Sequence, residues 1–449
     1  MIYPLVIDDN ESNTVILPSS LKADGRTAVA FGSFLAPCTI ISSSGPSDSI
    51  IVAGDVAQRL LIPFAAKVHV FLTDEAVHIG PLVGVFTAGF TKSPHRPVGG
   101  RSFFFAKLLA QEKQVGGFAF LFGLPHIDWE HGTVNGYFYT ERGWERHTVP
   151  LPTVIYNRLP NRRIENDDMF QTVTKTLQTA YGIPVFNGRF FNKWEVYRRL
   201  AVHRDARPYL PETSAYVTRQ TIEQFLNRYT GAYVKPADGS LGRGIYHLVK
   251  KKDAYECRFR NEHGETKTTL FPTAMALWHH LLAHAPLHRY VIQQAVPLIT
   301  INGRPTDFRV HTNKNENGQW QVSAVAAKIA GRQSITTHMN SGGMVKTLEE
   351  IFPNTAKRET VLARLRDAAL TLSRCLDETS DTLIGEIGFD FGVDEQGNIW
   401  MFEANSKPGR SIFKHPGLKE ADERTALLPL AYAVHLSKTA IIDPEAFGL

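Results

Sequence analysis

The sequence predicts a mixed α/β (α+β) protein made of successive units, and the spacing of apolar residues along its 449 positions supports that class. Residues 1–79 contain short apolar runs separated by Gly, Pro and Ser clusters, which predict a β-rich N-terminal domain. Residues 80–189 alternate strand and helix patterns, as in a βαβ unit, and predict a small α/β domain. Residues 190–437 combine hairpins with amphipathic helices and carry the polar motifs, so they predict a larger domain, followed by a tail over 438–449.

Composition places the chain among ordinary globular proteins, with 43% hydrophobic and 21% charged residues. No basic region precedes the first acids, so no signal peptide is predicted, and no apolar run approaches the ~20 residues that span a bilayer. The three cysteines are far apart and in no CxxC spacing, which suits a reducing cytosol. The sequence therefore predicts a cytoplasmic protein with no membrane partner.

The net charge of +5 is mildly basic, and residues 157–163 form one of its local concentrations. The chain has no arginine-rich tail and no basic repeat interleaved with aromatic residues. These stretches therefore favour a solvated face with some phosphate contacts, and nucleic-acid binding is the least favoured function.

Two strands near the C-terminal end carry the sharpest chemical pattern. Glu403 and Asn405 are two residues apart on one strand, so their side chains share a face. A turn centred on Gln396 and Gly397 sets Asp390 opposite Glu403, with Cβ atoms ~5 Å apart. Such a pair is unfavourable without a cation between the carboxylates, and with the Asn405 carbonyl oxygen it provides the hard ligands that Mg²⁺ prefers. An exposed hairpin is the alternative, but the apolar neighbours of both acids favour a buried metal site.

A glycine-rich turn follows the predicted strand that ends near Lys235. Gly239, Ser240, Gly242 and Gly244 allow backbone amides to approach phosphate oxygens, and the lysine adds a point charge. The spacing is neither that of a Walker A loop nor GxGxxG, so a P-loop or a dinucleotide-binding turn is not indicated. By itself the turn is a weak indication, because glycine-rich turns join strands in many proteins.

A third polar cluster lies between these two motifs. Asp307 and Arg309 belong to TDFRVHTN, Lys328 to the next predicted strand and Asn340 to HMNSGGMV. Arg309 and Lys328 fall on neighbouring strands and can gather anionic oxygens, while Asn340 can close over a reacting group. Each residue alone is more often structural, so the order of the whole series carries the weight.

That order resembles the order of motifs in ATP-grasp ligases, over about Phe190 to Leu436. The motifs follow one another in this order: a lysine, a second lysine with a glycine loop, a hinge strand, D-x-R, a basic strand residue, N-x-GG and D…E-x-N-x-x-PG. The likeness is to glutamate ligases of the RimK type and, more distantly, to D-alanine–D-alanine ligase. The phrases PTVIYNRLPNR, VKPADGSLGRGI, DFRVHTN and FEANSKPGR resemble the YheC/YheD endospore coat-associated family of spore-forming bacilli, and this likeness runs through most of the chain.

The resemblance implies an ATP-grasp fold, preceded by a small α/β domain, in which two lobes hold a nucleotide between them. It implies that Arg309 and Asn340 face an acyl phosphate and are catalytic. Three residues fall on the metal-binding positions of the family, namely Asp390, Glu403 and Asn405. The nucleotide-binding positions are Lys193, Lys235, Gly239, Ser240, Gly242, Gly244, Gln293, Gln294, Val296, Asp307 and Lys328.

Two positions depart from the family pattern. Gln293 stands in the hinge where the family usually has Glu, which weakens adenine recognition by that side chain. Gly388 stands where the GRID pattern of peptide ligases has Arg, which separates this chain from the D-alanyl ligases, as in ligases closer to the RimK type.

The implied function is that of a carboxylate–amine ligase which uses ATP and Mg²⁺, with Mn²⁺ as an alternative, and forms an acyl phosphate during spore coat formation. The implied partners are a small-molecule or peptide carboxylate and spore coat proteins, with the protein cytoplasmic or deposited in the spore coat. The alternative is a nucleotide-binding structural protein of the spore coat with little or no catalysis.

Overall fold

The computed structural model describes residues 1–43, 48–239, 243–261, 263–331 and 342–447. Over this part of the chain, strands and helices follow one another in four β-sheets. Two sheets come from the N-terminal part of the chain and two from the part that carries the motifs. The predicted mixed α/β class is therefore confirmed.

The N-terminal sheet consists of short strands. Its elements are β1 (Ile2–Asp8), β2 (Thr14–Leu17), β3 (Ala28–Phe31), β4 (Phe34–Pro37), β5 (Thr39–Ser42), β6 (Ile50–Ala53), α1 (Gly54–Arg59), β7 (Lys67–Leu72) and β8 (Ala76–Gly80). The strand order is β4-β3-β8-β7-β1-β6-β2-β5. Tyr3 and Leu5 of β1 are buried while their neighbours along the strand are exposed, because successive side chains point to opposite faces.

The second sheet has a parallel centre, as the predicted βαβ unit requires. Its elements are β9 (Leu82–Phe86), α2 (Ser102–Leu109), α3 (Glu112–Val115), β10 (Phe118–Phe122), β11 (Ile127–Asp128), β12 (Thr133–Thr140), β13 (Gly143–Pro150), β14 (Val154–Asn157), α4 (Arg162–Glu165), α5 (Asp168–Thr179) and β15 (Val185–Phe186). The order is β11-β12-β10-β9-β14-β15, and β13 pairs with β12. Strands β10, β9, β14 and β15 run parallel, so their carboxyl ends meet at one edge.

The third sheet is antiparallel and forms the first lobe of the motif-bearing part. Its elements are α6 (Lys193–Ala201), β16 (Thr213–Ser214), α7 (Arg219–Arg228), β17 (Ala232–Pro236), β18 (Tyr246–Lys250), β19 (Tyr255–Arg260), β20 (Thr266–Phe271), α8 (Ala274–His284) and β21 (Tyr290–Gln294). The order is β16-β21-β17-β18-β19-β20. Helices α7 and α8 bury their apolar residues in the same core as β17, β18 and β21.

The fourth sheet forms the second lobe. Its elements are β22 (Thr300–Ile301), β23 (Arg304–Lys314), β24 (Trp320–Ile329), β25 (Met344–Lys346), α9 (Leu348–Ile351), α10 (Thr355–Glu378), β26 (Glu386–Val393), β27 (Ile399–Asn405) and α11 (Lys419–Ile442). The order is β25-β24-β23-β26-β27, and β22 pairs with β23. Short 3₁₀ helices lie at Gly99–Arg101, Leu124–His126, Arg207–Tyr209, Leu287–Arg289, Ser411–Lys414, Pro416–Leu418 and Pro444–Phe447.

The structure confirms the helix that was predicted from the spacing of apolar residues, as α10. The predicted face is buried in the core of the second lobe, because residues three and four apart lie on one side of a helix. Asn354 caps the helix by accepting a hydrogen bond from the Lys357 amide. The buried residues of the predicted face are Val361, Leu365, Ala368, Ala369, Leu372 and Leu376.

Side chains on the two faces of strand β10 pack in two different hydrophobic cores. Phe118, Phe120 and Phe122 belong to a core shared with the N-terminal sheet. Ala119 and Leu121 belong instead to a core shared with α2 and α11. Each buried large apolar side chain stabilises the fold by about 1.5–3 kcal/mol relative to an exposed one. The second sheet is therefore covered on both faces.

Helix α11 runs past residue 437, where the tail was predicted to begin, to Ile442. The stretch Pro416–Ile442 is long and apolar enough to cross a membrane by length and composition, contrary to the expectation that no apolar run reaches that length. Of its most apolar window 61% is buried inside the structure, as in the core helix of a folded domain. Leu430, Tyr432 and Leu436 of this helix pack in the core of the second sheet.

Candidate functional site

The strand register confirms the predicted pairing of the two carboxylates. Asp390 on β26 lies opposite Glu403 on β27 in an antiparallel ladder. Nearer the turn, Val393 pairs with Ile399. The turn is therefore not centred on Gln396 and Gly397, as was predicted. Phe402 is an extra, bulged residue on β27. If the strands continued in the regular register from the Phe391–Met401 pair, Asp390 would lie opposite Phe402 and not opposite Glu403. The bulge therefore sets the register at the site.

Asp390 is buried and is held by two cations from neighbouring strands. Arg309 donates from Nε to Oδ1 and from Nη2 to Oδ2, both at 2.9 Å. Lys328 Nζ lies 2.8 Å from Asp390 Oδ1 and 3.0 Å from Asp307 Oδ1. Burial lowers the pKa of Arg309 and of Lys328, but the neighbouring carboxylates outweigh it and raise both pKa values. Both side chains are therefore cations near neutral pH.

Glu403 faces the first lobe. Lys193, at the start of α6, places Nζ 3.4 Å from Glu403 Oε1 and donates to the carbonyl oxygen of Gly239 at 2.6 Å. Asn192 caps this helix by accepting hydrogen bonds from the amides of Trp194 and Glu195. The cap fixes the start of α6 and so places Lys193 between the glycine-rich turn and Glu403.

Lys235 joins the two lobes from strand β17. Its Nζ donates to Gln293 Oε1 at 2.7 Å and to the carbonyl oxygen of the bulged Phe402 at 3.1 Å. Burial, together with the charge of Lys193, lowers the pKa of Lys235 to about 7 against the opposing effect of Glu403 and Asp390. In the free protein Lys235 is therefore close to losing its charge at neutral pH.

The predicted hinge lies at the end of strand β21. Gln293 is buried, and its side chain donates from Nε2 to Thr213 Oγ1 at 3.0 Å in addition to accepting from Lys235. The amide of Gln294 donates to the carbonyl oxygen of Glu212 at 2.9 Å, whereas Val296 follows the strand and is half-buried. The Gln293 side chain thus orients Lys235, which leaves the predicted adenine contacts to the backbone of the hinge.

The glycine-rich turn contacts Lys193 at Gly239, the last described residue before its gap. Gly239 accepts from Lys193, and Gly244 has a φ of +68°, a conformation that favours glycine. A Cβ on Gly244 would lie 2.8 Å from the Tyr290 hydroxyl oxygen. Three other predicted site residues, Ser240, Gly242 and Asn340, lie outside the described residues.

The donor chemistry of the predicted metal set fits Mg²⁺. Asp390 and Glu403 face each other, and Asn405 shares the strand face of Glu403, so two carboxylates and an amide offer hard oxygen ligands. Across the described ranges no cluster of three or more His, Cys, Asp or Glu side chains forms a metal site. The set therefore needs Asn405 and oxygens from a bound molecule to complete the coordination.

A buried ionic cluster adjoins this site, and the sequence did not single it out. Glu386 on β26 accepts a hydrogen bond from the Tyr156 hydroxyl. Arg158 Nη1 lies 2.8 Å from Glu386 Oε1, and Arg410 Nη2 lies 3.2 Å from Oε2. The Glu386 side chain is 1% exposed, so both guanidinium groups are held in the interior. Arg158 lies in the motif phrase NRLPNR and Arg410 in the phrase KPGR. These phrases were the signal in the sequence from which the cluster could have been found.

The predicted solvated face over residues 157–163 is only partly correct. Arg163 is exposed as expected. Arg158 is 10% exposed and ion-paired, so the prediction is wrong for this residue. Asn157 is buried too and accepts from Lys407 Nζ at 2.8 Å. Lys407 also pairs with Glu165 at 2.6 Å, while burial lowers the pKa of Lys407 to about 8 against the effect of that carboxylate.

Gly388 allows three side chains to pack closely between the metal set and the ionic cluster. A Cβ at this position would lie 3.0 Å from Arg309 Nη1, 3.2 Å from His311 Nε2 and 2.6 Å from Pro408 Cβ, so there is no room here for a larger residue. Burial, with Arg309 and Arg410, holds the pKa of His311 well below its ordinary value. Both His311 ring nitrogens are buried without a hydrogen-bond partner among the described residues. A neutral imidazole therefore packs close to Gly388.

Two antiparallel lobes, with Lys193 of α6 and Lys235 of the first lobe beside the paired carboxylates of the second, define an ATP-grasp protein. A family model described as "YheC/D like ATP-grasp" matches residues 182–436. The chain belongs to this family, and the resemblance drawn from its motifs is confirmed.

Two relatives extend the comparison. The endospore coat-associated protein YheD of Bacillus subtilis (strain 168) is 44% identical over 441 residues, which cover 98% of this chain and 97% of that protein. The endospore coat-associated protein YheC of the same strain is 26% identical over 272 residues, or 60% of this chain and 73% of that protein. Among solved structures, the D-alanine–D-alanine ligase of Bacillus anthracis has a TM-score of 0.46 at 13% identity, covering 79% of this chain and 97% of that one.

Proposed function

We propose that this chain is an ATP- and Mg²⁺-dependent carboxylate–amine ligase that acts in spore coat formation. The observation that carries the proposal is the meeting of Lys193 and Lys235 with the Asp390–Glu403 pair between the two lobes. The link to the spore coat comes from the 44% identical relative, which is named an endospore coat-associated protein.

The proposed reaction has two steps. A carboxylate oxygen of the substrate attacks the γ-phosphorus of ATP, the bond from that phosphorus to ADP breaks, and an acyl phosphate forms. An amine then attacks the acyl carbon and loses a proton, while phosphate leaves and an amide remains. Such transfers need positioning and neutralisation of oxygen charge more than covalent help from the protein.

The residues of this chain supply both requirements. Lys193 and Lys235 place positive charge at the glycine-rich turn and at the bulged strand, where the phosphates are proposed to lie. Arg309 is held by its two hydrogen bonds to Asp390, and its Nη1 lies close to Gly388. Mg²⁺ held by Asp390, Glu403 and Asn405 would neutralise charge on the β- and γ-phosphates.

Phosphate release tests the proposal. Purified protein is incubated with Mg²⁺-ATP and pooled amino acids and carboxylic acids, and hydroxylamine is added to trap an acyl phosphate as a hydroxamate. We expect release that depends on both Mg²⁺ and a carboxylate, together with hydroxamate formation. No ATP binding at millimolar concentration would contradict any nucleotide-dependent function.

The second candidate is a nucleotide-binding structural protein of the coat, which the names of both relatives, endospore coat-associated proteins, favour. Binding of ATP without turnover stimulated by any carboxylate would support it. The position of the paired carboxylates argues for the ligase, because Asp390 and Glu403 lie opposite each other beside Lys193 and Lys235 and offer the hard oxygen ligands that Mg²⁺ prefers.

Nucleotide binding should also depend on pH through Lys235, whose pKa is lowered to about 7 by burial. A bound triphosphate favours the protonated amine, so binding above pH 7 takes up a proton. The affinity for Mg²⁺-ATP should therefore fall as the pH rises above 7, by up to about tenfold per pH unit. Titration calorimetry in two buffers of different ionisation enthalpy measures the proton uptake.

The control variant is Lys250→Gln, which alters an exposed lysine on the neighbouring strand and should keep the pH slope. Lys235→Gln should weaken binding and flatten the slope, and an unchanged slope in that variant would assign the titration to another group. The stability of the free protein should change with pH in the opposite direction to the affinity for Mg²⁺-ATP. Between pH 7 and 10.5 the unfolded chain binds the extra proton, so stability rises with pH in that window.

A further inference from the structure

Arg162, the first residue of α4, contacts the glycine-rich turn from outside the first lobe. Its Nη1 donates to the carbonyl oxygen of Asp238 at 2.9 Å, and its Nη2 donates to the carbonyl oxygen of Phe191. Phe191 is two residues before Lys193, and Asp238 precedes Gly239. One planar guanidinium group therefore joins the start of α6 to the turn. We call residues 237–239 the turn segment.

The two parts of the chain joined in this way also bond to each other. The Lys193 amide donates to the carbonyl oxygen of Ala237 at 3.0 Å, and Lys193 Nζ donates to that of Gly239 at 2.6 Å. Asn192, the cap of α6, donates from Nδ2 to Asp238 Oδ1 at 2.7 Å. All three residues of the turn segment are thus bonded to the start of α6, and the guanidinium group from α4 donates to both parts.

Helix α4 also contacts the second lobe. Glu165 Oε1 accepts a hydrogen bond from the Phe190 amide at 2.8 Å, and Glu165 Oε2 lies 2.6 Å from Lys407 Nζ. Lys407 follows the proposed metal ligand Asn405 by two residues. Asn161 caps α4 through its side-chain oxygen. A short helix that precedes both lobes in the chain therefore contacts the turn segment of the first lobe and the end of β27 in the second.

The contacts of Arg162 suit the positioning of backbone more than the stability of the whole fold. The Arg162 side chain is 27% exposed and the Asp238 side chain is 44% exposed, with 3.8 Å between Nε and Oδ1. An ion pair with this exposure contributes little to global stability. The two hydrogen bonds of Arg162 instead end on main-chain oxygens, so they restrict the backbone on both sides of Lys193 Nζ.

We propose that Arg162 is a positioning residue for the nucleotide site, which holds the turn segment and Lys193 in the arrangement that receives the phosphates. Arg162 acts through these groups and does not touch the nucleotide. The inference rests on the proposed function for the identity of the ligand, but the order of the turn segment can be measured in the free protein. Without Arg162 the nucleotide has to order this backbone as it binds, and fixing one residue corresponds to about a 5- to 30-fold change in an equilibrium constant.

The affinity for a nucleotide tests this role. The Kd of a non-hydrolysable ATP analogue with Mg²⁺ is measured by titration calorimetry for the wild type, Arg162→Ala and the matched control Arg163→Ala, which alters the exposed neighbour in α4. We expect Arg162→Ala to raise the Kd about 5- to 30-fold and Arg163→Ala to leave it unchanged. Arg162→Lys should recover only part of the affinity, because an ammonium group lacks the planar fork that reaches two carbonyl oxygens.

Steady-state kinetics separate positioning from a role in the chemical step. With a carboxylate that supports turnover, Arg162→Ala should raise the KM for ATP and leave the KM for the carboxylate unchanged. The kcat at saturating ATP should stay within about threefold of the wild type, because bound nucleotide restores the order of the turn segment. A fall in kcat with an unchanged KM for ATP would assign Arg162 to the chemical step and overturn the inference.

Hydrogen–deuterium exchange tests the positioning without a nucleotide. The amides of Lys193 and Gly239 donate to carbonyl oxygens of the turn segment and of the end of β17, so their protection reports on this region. In Arg162→Ala both amides should exchange at least about tenfold faster. The reference is the amide of Ala295, which donates to Gly231 at 3.0 Å in the same lobe and should keep its exchange rate.

The outcomes separate this inference from the proposed function. A wild type that binds the nucleotide, with Arg162→Ala unchanged in both affinity and exchange, would overturn the positioning role and leave the proposed function intact. A lower melting temperature in Arg162→Ala with an unchanged Kd would make Arg162 a structural brace and would also overturn it. A wild type that binds no nucleotide would contradict the proposed function and this inference together.

Discussion

Replacement of Glu403 by glutamine is expected to reduce carboxylate-stimulated ATP turnover by about 100- to 1,000-fold, because it removes one of the two charges that face the proposed metal and phosphates. Glu403 is a suitable target, since its side chain is 19% exposed and its ion-pair partner Lys193, at 3.4 Å, also donates to the carbonyl oxygen of Gly239. Lys193 therefore keeps a hydrogen-bond partner when Glu403 is neutralised, and the variant should fold normally. Initial rates of phosphate release, measured with saturating carboxylate, give the loss of turnover directly.

The control is Glu395→Gln, which alters an exposed carboxylate in the turn of the same hairpin. It should leave turnover and the affinity for Mg²⁺-ATP unchanged. If Glu403→Gln retained more than about a tenth of the activity, the carboxylate pair would not be the centre that neutralises the phosphates. The proposal of a metal site at Asp390 and Glu403 would then be wrong.

Local patterns predicted the parts of this molecule that depend on short stretches of chain. The apolar spacing of α10 follows from the period of a helix. The pairing of Asp390 with Glu403 was predicted from a symmetric turn, but in the structure the bulge at Phe402 produces it. The bulge at Phe402 did not follow, because one extra residue in a strand depends on what packs beside it and has no period of its own. Here it presents the Phe402 carbonyl oxygen to Lys235.

Contacts between distant parts of the chain could not be predicted from the sequence. Arg158 and Glu386 are 228 residues apart, and no local spacing relates them. Helix α11 lies against the second sheet, where Ser437 Oγ and Thr153 Oγ1 are 2.8 Å apart across 284 residues. Both contacts come from the packing of whole domains, so the buried ionic cluster around Glu386 became visible only in the folded structure.

Replacement of Glu386 by glutamine should have the largest effect on stability. Glu386 neutralises Arg158 and Arg410 in the interior and accepts from the Tyr156 hydroxyl. Removing its charge leaves two buried guanidinium groups without an anion, which should lower the free energy of unfolding by about 3–5 kcal/mol. Urea unfolding followed by tryptophan fluorescence should show a lower midpoint with an unchanged slope. Asp381→Asn, which breaks an exposed pair with Arg189, is the control and should cost at most about 1 kcal/mol.

A triple variant tests whether the loss of stability comes from the unpaired charges. Replacing Glu386, Arg158 and Arg410 together by Leu, Met and Met should recover much of the stability, since a buried ionic group can often be exchanged for apolar side chains. If Glu386→Gln unfolded at the wild-type midpoint, the cluster would be solvated rather than buried.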